Sequence, residues 1–413
     1  MDREDVVVIG GGIVGIACAY KLQSAGRSVL LVDKEDPGQG CSFGNAGVIA
    51  ASFILPLSNI KNILAVPRML LSSSGPLSLR WRDLPHMLPW LAQFLLNAHP
   101  ARQKASREAL AEINGRSLQA WRELLESCDR RALLVENGML DVVRTPQGAR
   151  TLAEEGKLLE QLSIKTEYLP AEDVLKLEGA LSTEITGGLL HSDLAHVQNP
   201  FAVSCALLEA FVVRGGRVKR TQVKRVSPEG DGAVLACGHH EIRANQVVIA
   251  TGIASVALME PFGVRVPLRA ERGYHLMLPR HENVLSRPVS FRKESFLATP
   301  MADGLRLAGT VELCRPDREP NWRRSDQLFP LAKRYLGGIE YVNASRWMGS
   351  RPSFADSLPA IGRLNGTSII YAFGHQHLGL TQAAVTAEWV VDLSNSHALP
   401  GDLTDRLSVE RFG

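Results

Sequence analysis

Gly10, Gly12 and Gly15 are spaced G-x-G-x-x-G, directly after the apolar stretch Asp5 to Gly10 and at the start of a segment, Ile13 to Ser24, that reads as a helix. Glycine at such positions lets a backbone come up against a pyrophosphate, and the helix N-terminus turns its unpaired N–H groups toward the charge. The same spacing also serves plain tight turns, so the setting between strand and helix carries the argument. Ile13 and Val14 lie inside the fingerprint. Asp33 lies 18 positions after Gly15 and ends a second apolar run, Ser28 to Asp33, with Lys34 and Glu35 beside it. A carboxylate at the end of that strand accepts from both hydroxyls of an adenosine ribose and disfavours a 2′-phosphate. Up to this point the residues specify a dinucleotide and leave flavin and nicotinamide both open.

The elements that must hold these residues begin with the βαβ unit just described. From Trp81 to about Arg130 the pattern is helical, with apolar positions three and four apart, and reads as an inserted helical layer. Between Gly138 and Val197 strand candidates (MLDVVRT, IKTEYL, GGLLHS) alternate with helix candidates at Pro146 to Leu162 and Ala171 to Leu177. A helix from Pro200 to Val213, entered through Asn199, leads to several short strands, the last from Gln246 to Ala250. Residues 262 to 342 read as strands and turns, RLAGTVE the clearest. A strand from Ser368 to Ala372, a glycine-rich turn and a helix from Leu380 to Leu393 follow. The expected division is a nucleotide domain of residues 1–80, 198–260 and 343–413, with 81–197 and 261–342 forming a second domain.

Composition narrows the class further. The 413 residues exceed what one core usually supports. The 46 Lys and Arg against 43 Asp and Glu leave a net +3, too little for a chain that binds nucleic acid through clustered cations. Six scattered cysteines form no zinc or redox pair and read as reduced thiols of a cytoplasmic protein. The acidic residues before the first strand do not resemble an export signal. Leu84 to Leu96 is shorter than the ~20 residues that span a bilayer. His239 and His240 have no ligand at metal spacing, and no metal site is expected.

Several ordered motifs, GGGIVG (10–15), CSFGNAGVI (41–49), VVIATG (247–252), ERGYHLML (271–278), MGSRPSFADSLPAIG (348–362) and GHQHLGLT (374–381), resemble the D-amino acid oxidase superfamily, specifically its bacterial D-amino acid dehydrogenase branch. The resemblance runs nearly end to end. It implies an α/β fold: a Rossmann-like FAD-binding domain of the glutathione-reductase type, interrupted by an α+β substrate domain with a mixed or antiparallel sheet. It also implies that Ser42, Asn45, Ala46, Gly47 and Val48 line the pyrophosphate and isoalloxazine, that Val223 meets adenine, and that Thr251 and Gly252 turn past the dinucleotide. His377, Leu378, Gly379, Leu380 and Thr381 introduce the last helix, whose positive end can stabilise charge on a reduced flavin. Relatives with covalently held flavin carry a cysteine just before the RP dipeptide; this chain has Gly349 and no cysteine nearby in sequence, so non-covalent FAD is implied.

The same resemblance assigns Arg351 to the substrate α-carboxylate, through a two-pronged guanidinium pairing that Lys cannot reproduce. Arg346 and Arg363 lie close by in sequence. Tyr274 is implied as a donor to carboxylate or amine, and His377 as a residue over the flavin, whereas His375 reads as bonding the turn's own backbone. Many relatives carry a tyrosine where this chain has Ser295, Phe296 and Leu297. The implied reaction is dehydrogenation of a D-amino or cyclic D-imino acid, cis-4-hydroxy-D-proline being the preferred guess, by hydride transfer from the α-carbon to flavin N5 with a quinone or another carrier as acceptor. Alternatives are a glycine or sarcosine oxidase releasing hydrogen peroxide, and a flavin-carrying subunit of a heteromeric electron-transfer assembly. The apolar stretch Trp81 to Leu96 can dock peripherally on the inner membrane or form a buried helix layer.

Overall fold

In the computed structural model, which describes residues 3–71, 75–161 and 164–413, Glu4–Ile9 forms a strand whose Val6, Val7 and Val8 are completely buried. A strand buried on both faces belongs inside a parallel sheet covered by helices. Five parallel strands build that sheet, in the spatial order Arg217–Arg220, Val29–Asp33, Glu4–Ile9, His240–Ile249 and Ile369–Phe373. Ala360–Arg363 pairs antiparallel at the far edge. The antiparallel hairpin Arg225–Glu229 and Gly232–Cys237 lies on the first half of His240–Ile249. Helices Ile13–Ser24 and Gly379–Ser394 share one continuous core with this sheet. A Cβ on Gly15 would lie 1.8 Å from the Gly10 carbonyl oxygen, so only glycine lets the first helix sit this close to the strand end. Pro200–Val213 starts where expected because Asn199 caps it, its side chain accepting from the N–H groups of Phe201 and Ala202 at 3.0 Å.

The second sheet is mixed, as the resemblance implied. Ser345–Ser353, Arg269–Pro279, Gly304–Leu313, Phe296–Met301 and Val289–Phe291 run antiparallel to their neighbours. Met139–Val143 joins them in parallel, and Gly187–His191 and Thr166–Pro170 follow. The helix before the last of these spans Pro146–Gln161, and Leu162 lies outside the described residues.

Sheet membership corrects the expected boundaries. Leu77–Leu79, placed by sequence in the nucleotide domain, pairs with Gly304–Leu313 in the second sheet. Ser345–Ser353, placed there too, pairs along its whole length with Arg269–Pro279. Strand pairing is long-range, and nothing local in these segments names the partner. The inserted helical layer is likewise divided. Leu84–Leu96 packs Met87 and Trp90 on Leu313 and Ala355, whereas Pro100–Glu126 packs on the nucleotide side. There Trp121 is fully buried and its indole N–H donates to the Leu380 carbonyl at 2.8 Å. A helix at Ile60–Leu71 was not expected from the sequence.

Candidate functional site

One cavity of about 920 Å³ runs from Asp33 and the glycine turn, along the loop at residues 40–50, to the Ser345–Ser353 strand and the turn before the last helix. That is near the top of the roughly 300–1,000 Å³ usual for ligand sites and suits an elongated ligand. Gly10 turns the chain into it with φ of +110°, where a Cβ would strike the Ala250 carbonyl at 2.4 Å.

At the dinucleotide end, Asp33 Oδ2 accepts from the Gly11 N–H at 2.5 Å and Oδ1 from the Glu35 N–H at 2.9 Å. The carboxylate thus ties the fingerprint turn to the strand end while facing the cavity, where Lys34 joins it. The first helix has no side chain capping it at Gly12, and its Ile13 N–H is taken by Ser42 Oγ at 2.9 Å. Ser42 therefore links the flavin loop to the fingerprint as well as lining the cavity. Gly12, Val14, Val223, Thr251 and Gly252 also line it. Uncapped N–H groups at a helix start, a carboxylate beside them and an apolar wall form a cradle that fits FAD.

Toward the other end, the second sheet holds the loop in place. The Arg306 guanidinium donates to the carbonyls of Asn45 at 2.5 Å and Phe43 at 3.3 Å, and the His275 imidazole meets the Gly44 carbonyl at 3.1 Å. Burial lowers both groups, His275 to about 3 and Arg306 to about 10. From the last helix, Thr381 Oγ1 accepts from the Ala50 N–H at 3.0 Å and donates to the Val48 carbonyl at 3.3 Å. Ala46 and Val48 face the cavity. Gly47 does not: its φ is +82°, a Cβ there would meet the Val197 carbonyl at 2.7 Å, and its own carbonyl accepts from the Val197 N–H at 2.8 Å. Its glycine serves the turn, which corrects the expected approach to the ring. Trp347 stacks on His275 at 5.2 Å, and its indole fills the space that a side chain at Gly44 or Gly349 would take, each virtual Cβ being 2.1 Å from the ring.

Arg351 stands apart from the other arginines named from the sequence. Arg346 pairs with Asp326 at 2.7 Å and Arg363 donates to the Thr367 carbonyl at 2.8 Å, but among the described residues the Arg351 guanidinium has no hydrogen-bond or ion-pair partner. It lies across Gly273, where a Cβ would be 2.3 Å from Nη2, and faces the cavity. Burial lowers its pKa while Glu271 pulls it back up, and a guanidinium stays charged. A half-buried guanidinium with no partner among the described residues offers its N–H donors to a carboxylate. His377 lines the same space; burial first, then the Arg351 charge, push it down to about 4, so the imidazole is neutral.

Tyr274 corrects an expectation. The residue borders the cavity, but its hydroxyl is occupied: it donates to Glu312 Oε2 at 2.5 Å and accepts from the Asn321 N–H at 3.0 Å. Glu312 is itself held by Arg80 at 2.8 Å and Arg272 at 3.7 Å, and burial with this carboxylate pushes the phenol up to about 12. Tyr274 follows Gly273 on the strand, so its side chain leaves on the face opposite Arg351. His375 bonds the Thr386 hydroxyl at 3.1 Å, a contact to the following helix and not to the turn. In the region where relatives carry tyrosine, Leu297 reaches the cavity while Phe296 stacks on Phe291 at 4.4 Å.

Sequence reasoning missed Trp347, Glu271 and Cys41. Glu271 had a signal, a carboxylate inside the matching motif ERGYHLML; Trp347 had none. Cys41 is far from the RP dipeptide in sequence, yet its thiol donates to the Ser350 carbonyl at 2.9 Å. All six cysteines are free thiols. Among the described residues no group of three or more His, Cys, Asp and Glu side chains is placed to hold a metal.

A parallel dinucleotide sheet, a mixed second sheet and a long cleft ending at an unpaired arginine define a flavin-dependent oxidoreductase. Residues 5–393 match the family model described as DAO, FAD dependent oxidoreductase, and the chain belongs to that family; its cofactor is FAD. The chain is 30% identical to a D-amino-acid oxidase of Bradyrhizobium diazoefficiens, over 95% of each chain. It is 27% identical to a D-amino acid dehydrogenase of Vibrio vulnificus, over 91% of this chain and 92% of that one. Among solved structures it is similar to glycine oxidase from Geobacillus kaustophilus, with a TM-score of 0.78 at 21% identity and 99% coverage of both. L-proline dehydrogenase from P. horikoshii gives 0.74 at 18% identity, over 100% of this chain and 98% of that one. At those identities the structures support the fold alone.

Proposed function

We propose that this chain dehydrogenates D-amino acids or cyclic D-imino acids, with cis-4-hydroxy-D-proline the first substrate to try, and passes the electrons to a quinone or another carrier. The observation that carries the proposal is Arg351, a cavity-facing guanidinium without a partner among the described residues, at the end of the FAD cleft. The names of the relatives, D-amino-acid oxidase and D-amino acid dehydrogenase, support the substrate class.

FAD, when bound, supplies the hydride acceptor, and the protein's part is to bind and orient. Arg351 holds the α-carboxylate through two parallel N–H···O contacts, which fixes the α-carbon relative to Gly349 and the flavin loop. His377 stays neutral near Arg351 and keeps a second positive charge out of the carboxylate site. Trp347 and Leu297 close the walls against water. The N-terminus of Gly379–Ser394, which has no side-chain cap, presents its N–H groups to negative charge on the cofactor. An exposed apolar stripe on Leu84–Leu96 supports peripheral contact with the membrane in which a quinone would lie, on its cytoplasmic face.

The test is an anaerobic panel of D-amino acids, D-proline analogues, glycine and sarcosine, read as bleaching of the yellow flavin, followed by admission of air. Bleaching by cyclic D-substrates with slow reoxidation in air is expected. Preferential bleaching by glycine or sarcosine with rapid peroxide release would replace this reading with an oxidase, and no bleaching at all would leave a flavin-carrying subunit.

A further inference from the structure

Arg351 provides for only one of the two charges of an amino acid; across the strand pair from it stands Glu271. The two are register partners in the antiparallel pairing of Arg269–Pro279 with Ser345–Ser353, and both line the same cavity. They do not form an ion pair, although each feels the other's charge. The guanidinium lies over Gly273, and the carboxylate turns to Ser353, whose Oγ donates to Oε2 at 2.8 Å. Glu271 Oε1 has no partner among the described residues and is not sealed from the cavity. A buried carboxylate with one free oxygen, next to a half-buried guanidinium that no described residue pairs, is complementary to a zwitterion whose carboxylate and ammonium lie one carbon apart.

We propose that Glu271 is the amine-side residue of the site: Oε1 accepts the substrate ammonium and removes its proton. An N–H bond breaks with its electron pair left on nitrogen, an O–H bond forms on Oε1, and no oxidant enters this step. The neutral amine is the form whose lone pair can assist loss of hydride from the α-carbon. The proton returns to water through the cavity once product has left. The inference rests on the reading of the cavity as an amino-acid site.

The groups facing Glu271 agree with the role. Arg351 on the neighbouring strand favours its anion; Cys41 from the flavin loop and His377 from the last turn face Arg351 in turn, the thiol raised by burial and the imidazole neutral. Ser353 stabilises one oxygen, and the residue opposite on Gly304–Leu313 is apolar Leu313. Burial raises the Glu271 carboxyl, so it accepts a proton more readily than an exposed glutamate.

The experiment is Glu271→Gln in the FAD-loaded enzyme, with Glu271→Asp beside it, measured as kcat/KM against pH and as binding of propanoate seen in the flavin spectrum. At pH 7 Glu271→Gln should lose roughly a hundredfold in kcat/KM or more, the usual share of a positioned base. Its kcat/KM should then climb about tenfold per pH unit toward the substrate's own ammonium pKa, while the wild type levels off earlier. Propanoate, which has no amine, should bind Glu271→Gln at least as tightly as wild type, and Glu271→Asp should recover part of the rate. An unchanged pH profile, or propanoate binding lost in parallel with activity, overturns the proposal. If wild-type flavin binds propanoate but no amino acid bleaches it, the amino-acid reading fails and takes this proposal with it.

Discussion

Arg351 and its neighbouring arginines differ in how their charges are met. Arg346 is paired with Asp326 and Arg272 and Arg80 are held by Glu312, so their charges are satisfied within the protein. Arg351 crosses a glycine, finds no acceptor among the described residues and faces the cavity. Replacing it by lysine keeps the charge but loses the fork, a difference of about 1.5–3 kcal/mol for a charge-assisted pair. Arg351→Lys should therefore raise KM by roughly 10- to 100-fold with FAD content unchanged. Steady-state kinetics beside the ratio of flavin to protein absorbance checks this, and normal KM would remove Arg351 from the site.

The flavin loop has one short strand, Val48–Ile49, paired antiparallel with Ala195–Val197, and is held further by three other elements. Arg306 and His275 reach it from the second sheet, Ser42 ties it to the first helix, and Thr381 clasps it from the last. Thr381 is 1% exposed, so Thr381→Val leaves the Ala50 N–H without its partner in a place water does not reach. The expected loss is about 1–3 kcal/mol, seen as a lower Tm together with FAD release at a lower temperature than in wild type. Release of FAD at an unchanged temperature would show that the loop does not depend on this clasp. The glycine fingerprint, Asn199 as a cap and the last helix were legible in the sequence because each depends on neighbours within a few residues. The clasp was not, since Thr381 and Ala50 are 331 positions apart.

Across the whole molecule, charge and apolar surface are unevenly distributed. Between Pro37 and Arg107 the chain carries Lys61, Arg68, Arg80, Arg82, Arg102, Lys104 and Arg107 against a single acid, Asp83, which is buried and held by Arg318 at 2.6 Å. In the same region Leu84–Leu96 exposes Leu88 at 52%, Leu95 at 57% and Leu96 at 60%, with Pro85, Pro89 and Ala92 on the same stripe at helical spacing. No described helix is long and apolar enough to cross a membrane. An exposed apolar stripe in a stretch of sequence rich in cations suits an anionic lipid surface. The protein should sediment with vesicles containing anionic lipid and much less with neutral ones. Leu88→Asp with Leu95→Asp should abolish this without changing FAD content; equal recovery in the supernatant with and without vesicles would sink the idea.

The sequence by itself determined the dinucleotide fingerprint, the carboxylate that ends the second strand and the order of most helices and strands, because glycine spacing, caps and apolar periodicity are local properties. It also carried Arg351 and His377, through motifs that match a family. Only the tertiary structure decided that Ser345–Ser353 and Leu77–Leu79 belong to the second sheet, that Tyr274 spends its hydroxyl on Glu312, and that Trp347, Glu271 and Cys41 meet at the cavity. Those are consequences of strand register and of which face a side chain leaves from. A shift of one residue reverses that face, and no short stretch of sequence encodes the partner strand against which it is set.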